Sequence, residues 1–207
     1  MKYSKLLILI ILILLVDQCL KIYIKTHFYY GQEVALLGSW FRLHFIENEG
    51  MAFGMKFGDA SIAKLILTLF RLIAVGFGFY YLKVMIKKGF KNATLICAAL
   101  ILAGAFGNLI DSIFYGKLFS ESSFCLAQWV PWGTGYANLF HGRVVDMLYF
   151  PLVEWTLPSS TPFIGAYTIR FFEPVFNIAD ASISIGVLTL LFFQKRLLTL
   201  PKEVKTD

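Results

Sequence analysis

Charge is scarce in this chain: Asp, Glu, Lys and Arg make up 15% of 207 residues, against 58% apolar ones. An ordinary soluble domain carries about 25% charged and ~45–50% apolar residues, so the deficit argues against a freely soluble globular protein. Cysteine is scarce too. Two of Cys19, Cys97 and Cys125 fall inside apolar helical stretches, so no disulfide framework is expected. Histidine is limited to His27, His44 and His141, far apart and without metal-ligand spacing, so neither a metal nor another cofactor is expected. No internal repeat or low-complexity tract is visible. The net charge of +6 is not gathered on a contiguous soluble basic face, so a nucleic-acid partner is not expected.

What the chain has in excess is apolar length, in four blocks at about 6–24, 62–85, 93–115 and 175–193. A bilayer core of ~30 Å needs about 20 apolar helical residues. The expected fold class is therefore an all-α membrane protein, a four-transmembrane-helix bundle forming a single integral membrane domain over residues 1–207. Lys2 and Lys5 before the first block resemble the start of a cleaved signal peptide. However, Asp17, Gln18 and Cys19 follow where small residues would be needed, and Gln18 is too bulky for a lipidation site at Cys19. The first block is read as a retained helix.

Basic residues set the orientation. Lys2, Lys5, Lys83, Lys87, Lys88, Lys91, Lys195, Arg196, Lys202 and Lys205 flank the ends that four spans bring together. Lys25, Arg42, Lys56, Lys117, Arg143 and Arg170 are spread over much longer opposite loops, so the positive-inside rule puts both termini in the cytoplasm. The outward loops are then about 25–61 and 116–174. The first holds strand-like stretches at 33–37 and 40–46, followed by the turn signal Asn48-Glu49-Gly50, which predicts a small extracytoplasmic β-sheet.

Polar residues within the spans gather at one level. Asp17 and Lys21 are four apart and share a helix face. Asn108 and Asp111 lie near the outward end of the third span, beside Gly104 and Gly107, and Asn177 and Asp180 open the fourth. Intramembrane ionisable groups are costly and mark functional sites or bundle-holding hydrogen bonds. For Asp17–Lys21 and Asn108–Asp111 both readings stand, while an accessible carboxylate at Asp180 favours chemistry. Arg71 lies mid-span in the second helix, where Asp111 or Asp17 would neutralise it. A transporter is the rival class, but it predicts polar residues through the membrane depth and often repeated halves.

In chain order the sequence carries Asp17-Gln18-Cys19-Leu20-Lys21, Asn48-Glu49-Gly50-Met51-Ala52-Phe53-Gly54, Gly104-Ala105-Phe106-Gly107-Asn108-Leu109-Ile110-Asp111, Gly142-Arg143-Val144-Val145-Asp146 and Phe176-Asn177-Ile178-Ala179-Asp180. This series resembles the lipoprotein signal peptidases (signal peptidase II), aspartic proteases of the bacterial inner membrane. The resemblance implies that Asp146 and Asp180 form the catalytic pair. It implies supporting or substrate-contact roles for Asp17, Lys21, Asn48, Gly50, Gly104, Asn108, Asp111, Arg143 and Asn177. The implied substrate is a prolipoprotein cut just before its diacylglyceryl-modified Cys, by a monomer in contact with membrane lipid, with its active site near the periplasmic face.

Two departures from the family pattern stand out. Ser112 follows Asp111 where many members have Arg, so one orienting contact is either missing or supplied elsewhere, with Arg71 or Arg143 as candidates. The segment between Asp146 and Phe176 is also longer than usual. In such a mechanism one carboxylate takes a proton from water while the other donates toward the carbonyl oxygen. Because the pair titrates as a unit, sequence leaves open which aspartate begins as base.

Overall fold

The computed structural model describes residues 2–38, 40–49, 60–123, 125–151, 153–156, 168–171 and 174–198. In chain order these form α1 (Tyr3–His27), β1 (Glu33–Leu37), β2 (Phe41–Asn48), α2 (Ala60–Lys87) and α3 (Asn92–Ile110). A π-helical turn (Asp111–Tyr115) and the short α4 (Gly116–Leu118) extend α3. Next come β3 (Val144–Tyr149), β4 (Val153–Thr156), β5 (Thr168–Phe171), β6 (Val175–Phe176), α5 (Ile178–Phe192) and α6 (Gln194–Leu197).

Three helical stretches, Tyr3–His27, Ser61–Lys87 and Asn92–Leu118, are long and apolar enough to cross a membrane. The fourth, α5, has 15 residues and reaches about 22 Å. The surface is apolar where a soluble protein's would be polar. Ile8, Leu12 and Leu15 on α1, Phe70, Ile73 and Phe77 on α2, and Ile185 and Phe192 on α5 are all exposed. A belt of that size suits a lipid environment. Inside the bundle, Leu6 and Ile10 meet Val75 and Leu82 of α2 and Leu95, Ala99 and Leu102 of α3.

The strand expected at 33–37 is β1. The one expected at 40–46 is β2, which runs on to Asn48. A fourth helix starting at 175 is not what forms. Residues 175–176 are β6, and the helix begins at Ile178 because Asn177 is extended (φ −121°) and caps it. The Asn177 side chain accepts from the Asp180 N–H, and the Asp180 carboxylate accepts from the Asn177 N–H, a reciprocal capping box. A two-stranded antiparallel sheet of β4 and β5 stands separate from the main sheet, which is antiparallel in order β1-β2-β3-β6. Its inner side buries Phe45, Val145 and Met147 against Ile24, Tyr115 and Phe119.

Two features tie this sheet to the bundle. First, α3 and α5 cross at glycines: a Cβ on Gly104 would lie 2.1 Å from the Ala179 carbonyl oxygen, and one on Gly107 would lie 3.2 Å from the Ala179 Cβ. Small residues allow such approach in membrane bundles. Gly104→Val is expected to force the helices apart at a cost of ~1–3 kcal/mol, read as a lower Tm in detergent. An unchanged Tm would refute the contact. Second, the wider π turn leaves the Ser112 and Ile113 carbonyls to the loop before β3, where they accept from Gly142 N (2.9 Å) and Phe140 N (3.2 Å). A Cβ on Gly142 would lie 2.1 Å from the Asp111 carbonyl oxygen, so a glycine lets the loop lie on the turn. Such π turns are frequent at functional sites.

Candidate active site

Sheet register brings the two aspartates to one end of the bundle. Asp146 is on β3, opposite Ile46 of β2, and two residues before Leu148, which pairs with Phe176 of β6. Because β6 leads straight into α5, Asp146 lies level with the helix start, where Asp180 occupies the first turn. Asp146 is only 2% exposed, whereas Asp180 is half-buried.

Each carboxylate is gripped by an amide. Asn177 Nδ2 lies 2.7 Å from Asp146 Oδ1, and also 3.2 Å from Asn108 Oδ1 and 3.3 Å from the Val145 carbonyl oxygen. Asn108 Nδ2 donates to Asp180 Oδ1 at 2.7 Å. The Asn48 side chain hydrogen-bonds Asp146 from β2. Two carboxylates on different elements are therefore oriented by three asparagines from α3, β2 and the α5 cap.

Beneath them lies a buried ionic layer. Lys21 Nζ sits 2.9 Å from Asp17 Oδ2 and 2.8 Å from Asp111 Oδ2, and donates to Asn108 Oδ1 at 2.8 Å. Gln18 Nε2 donates to Asp111 Oδ1 (2.8 Å), Asp17 Oδ2 (3.2 Å) and the Gly107 carbonyl (3.3 Å), while its Oε1 accepts from Tyr115 OH (3.0 Å). Asp17 Oδ1 accepts from Ala179 N at 2.9 Å, placing an anion at the N-terminus of α5 where the helix dipole favours it. Asp111 Oδ2 accepts from Val145 N at 3.4 Å. Asp17, Lys21 and Asp111 are at most 1% exposed, which favours the scaffold reading of this layer over direct chemistry. Sequence reasoning missed Gln18 and Tyr115. An amide between Asp17 and Lys21 in an apolar helix was the available signal for the first.

Arg143 stands apart from the pair. Its guanidinium reaches Glu47 (3.0 Å), Glu121 (2.7 Å) and Glu49 (3.3 Å) and stacks over Tyr136. Its hydrogen bonds hold the Glu121 carboxyl below the usual carboxylate range. Buried Lys25 bonds Glu47 as well, and donates to Ser122 Oγ at 2.9 Å. This second network fastens β2 to the 116–143 segment. Ser112 is fully buried, donates to the Asn108 carbonyl at 2.9 Å and is approached by Arg71 Nη1 at 3.4 Å. Of the two arginines expected to supply the contact at Ser112, Arg71 is the one that reaches it. Lys21, rather than Arg71, is the cation paired with Asp17. Gly50 lies outside the described residues.

Burial, and then the neighbouring Asp180 charge, push the Asp146 carboxyl up to about 7. Near neutral pH such a pair can share one proton, as acid–base hydrolysis requires. The arrangement is that of a membrane-embedded enzyme. Its fold is similar to two solved chains described as bacterial membrane enzymes. One has a TM-score of 0.57 at 21% identity, covering 99% of this chain and 96% of that one. The other has a TM-score of 0.56 at 21% identity, covering 94% of each. The family model for signal peptidase (SPase) II matches residues 9–195. A lipoprotein signal peptidase of Porphyromonas gingivalis is 50% identical over 193 residues, 93% of this chain and 83% of that protein. One of Amoebophilus asiaticus is 37% identical over 189 residues, 90% of this chain and 75% of that protein. The chain belongs to the signal peptidase II family and is a peptidase.

Proposed function

We propose that this protein removes signal peptides from diacylglyceryl-modified prolipoproteins, cutting before the lipidated Cys, with Asp146 and Asp180 as an aspartic dyad. The observation that carries the reading is the meeting of two carboxylates from β3 and α5, each fixed by an asparagine amide. In the reaction one carboxylate, ionised, takes a proton from the attacking water. The other, protonated, donates toward the scissile carbonyl oxygen and later serves the leaving amine. The family's peptidase activity favours this over a small-solute transporter.

Asp17, Lys21, Gly104, Asn108, Asp111 and Asn177 support the pair, while Asn48 reaches it from the sheet. The chain acts as a single integral domain, a monomer surrounded by lipid in the bacterial inner membrane. It has four spans, both termini in the cytoplasm, and the dyad near the periplasmic face beside the sheet and the long 116–174 loop. Basic residues at the opposite ends of the helices support that orientation. The exposed apolar belt is the surface that would meet both lipid and an apolar signal helix.

The test is incubation of the purified protein in detergent with a lipid-modified prolipoprotein, followed by gel shift. Cleavage at the lipidated Cys is expected, and its absence with folded protein and verified substrate would overturn the reading and direct attention to ion flux. The pH profile adds a second check. The Asp146 carboxyl titrates near 7, and the acid must keep its proton. Activity should therefore persist below that pH and fall as pH rises through it. A rate still flat to pH 9 would remove Asp146 from the acid role.

A further inference from the structure

Towards the end of the bundle opposite the aspartates, a groove of about 560 Å³ lies between α2 and α5 and is floored by α3. Its lining is small or aliphatic: Ala74, Gly78 and Leu82 of α2, Ala98 and Ala105 of α3, and Leu190 of α5. Gly78 lets α2 lie close to the floor, since a Cβ there would come within 2.7 Å of Leu102 Cδ1. From Ala105 down to Thr94 the floor spans about 16 Å of helix. The groove opens sideways, where Tyr81 and Leu198 are exposed. At its lower end α6 turns back onto the start of α3. Thr94 Oγ1 donates to the Leu197 carbonyl at 2.6 Å, and Lys91 Nζ donates to the Arg196 carbonyl. That contact gathers Lys91, Lys195 and Arg196 with Lys87 and Lys88 at the close of α2, all of them exposed. The sequence holds no acidic residue between Asp59 and Asp111 or between Asp180 and Glu203, so these segments bring five cations to the groove's mouth and no carboxylate.

We propose that this groove binds one anionic glycerophospholipid of the adjoining leaflet, an acyl chain lying along α3 and the phosphate held by Lys87, Lys88, Lys91, Lys195 and Arg196. In the orientation proposed above that leaflet is the cytoplasmic one, whose anionic lipids attract basic segments beside a span, and basic pockets between transmembrane helices bind such headgroups. Length favours a lipid chain over a spanning helix. A floor of about 16 Å matches the depth of one leaflet, whereas a signal helix needs the whole ~30 Å core. Charge decides the same way. A signal peptide starts with a positively charged segment, which would meet five like charges at this mouth, while a lipid phosphate is complementary to them.

The test titrates delipidated full-length protein in detergent with phosphatidylglycerol or with phosphatidylcholine of the same acyl chains. Native mass spectrometry reads the bound lipid, and Tm reads the stabilisation. Phosphatidylglycerol should bind about tenfold more tightly, by a margin that shrinks as salt is raised. Each cation near the headgroup contributes about fivefold, so Lys88→Gln combined with Lys195→Gln should erase most of that preference while leaving phosphatidylcholine affinity unchanged. Ala74→Phe, which fills the groove from an exposed position, should weaken both lipids. Equal binding of the two lipids, a preference unchanged in the double variant, or wild-type lipid affinity in Ala74→Phe would overturn the proposal. So would equal stabilisation by glycerol 3-phosphate, which would put a headgroup there without its chain. Displacement of the lipid by a synthetic signal peptide would give the groove to the substrate and overturn it too. Should a variant fail to fold, the headgroup comparison and the salt series on wild type still decide. None of these readouts needs turnover, so a negative result leaves the aspartic-dyad reading standing.

Discussion

Asp180→Asn and Asp146→Asn should each lower kcat for prolipoprotein cleavage by ~10²–10⁴-fold or more, the range that a positioned acid or base contributes. The fold should survive both changes. At position 180 an amide oxygen can still accept from Asn108 Nδ2, and the cap on α5 also retains the Asn177 side chain, which accepts from the residue-180 N–H at 2.8 Å. At position 146 the amide oxygen can still accept from Asn177 Nδ2. What each variant loses is a carboxyl group able to give or take a proton in the reaction. The two defects should be strongly non-additive, because either loss disables the same proton circuit. Single-turnover cleavage of a lipid-modified prolipoprotein, with thermal unfolding as the folding control, measures the effect. A folded variant with more than about a tenth of wild-type kcat would remove that aspartate from the dyad. A double variant no slower than the worse single one would support the shared circuit.

Much of this arrangement could be read from residue spacing, for identifiable reasons. Asp17 and Lys21 are one helical turn apart, so their pairing needs no tertiary information. Gly104 and Gly107 beside polar Asn108 announce a close helix crossing, and the partner is α5 at Ala179. The strand at Glu33–Leu37 follows from local composition. What was hidden depends on pairing at long range. β3 is buried along its whole length, so it lacks the alternation that marks a half-exposed strand, and its two-residue partner β6 is too short to announce itself. An apolar run at 175–193 therefore reads as helix from its first residue, although Asn177 stops it there. Arg143 shows the converse: adjacency to the Val-Val-Asp motif suggests a place beside Asp146, yet it bonds Glu47 and Glu121, away from the dyad. Arg143 precedes β3 and is held by the glutamates of the outer network, so nearness in sequence does not carry an arginine into a site.

Lys21→Met should be the most damaging single change to stability, costing about 3–5 kcal/mol, because it strands buried carboxylates without their cation. Lys21 is fully buried and holds Asp17 at 2.9 Å and Asp111 at 2.8 Å. Methionine nearly fills its volume, so the effect isolates charge from packing. Gln18 remains as a donor to both carboxylates, but one neutral amide does not offset two buried negative charges. The damage would also travel upward. Asn108 Oδ1 loses its 2.8 Å donor, and Asn108 is the side chain that orients Asp180. Thermal unfolding in detergent should therefore show a large fall in Tm together with reduced membrane yield. The triple variant Lys21→Met, Asp17→Asn, Asp111→Asn should recover much of that stability, since it leaves no net charge in the layer. Its activity should stay below wild type because Asn108 Oδ1 then keeps only the longer 3.2 Å bond from Asn177 Nδ2. A Lys21→Met protein with wild-type Tm would mean that the layer is wet enough to tolerate two free carboxylates. A triple variant no more stable than the single one would place the role of Lys21 in packing rather than in charge.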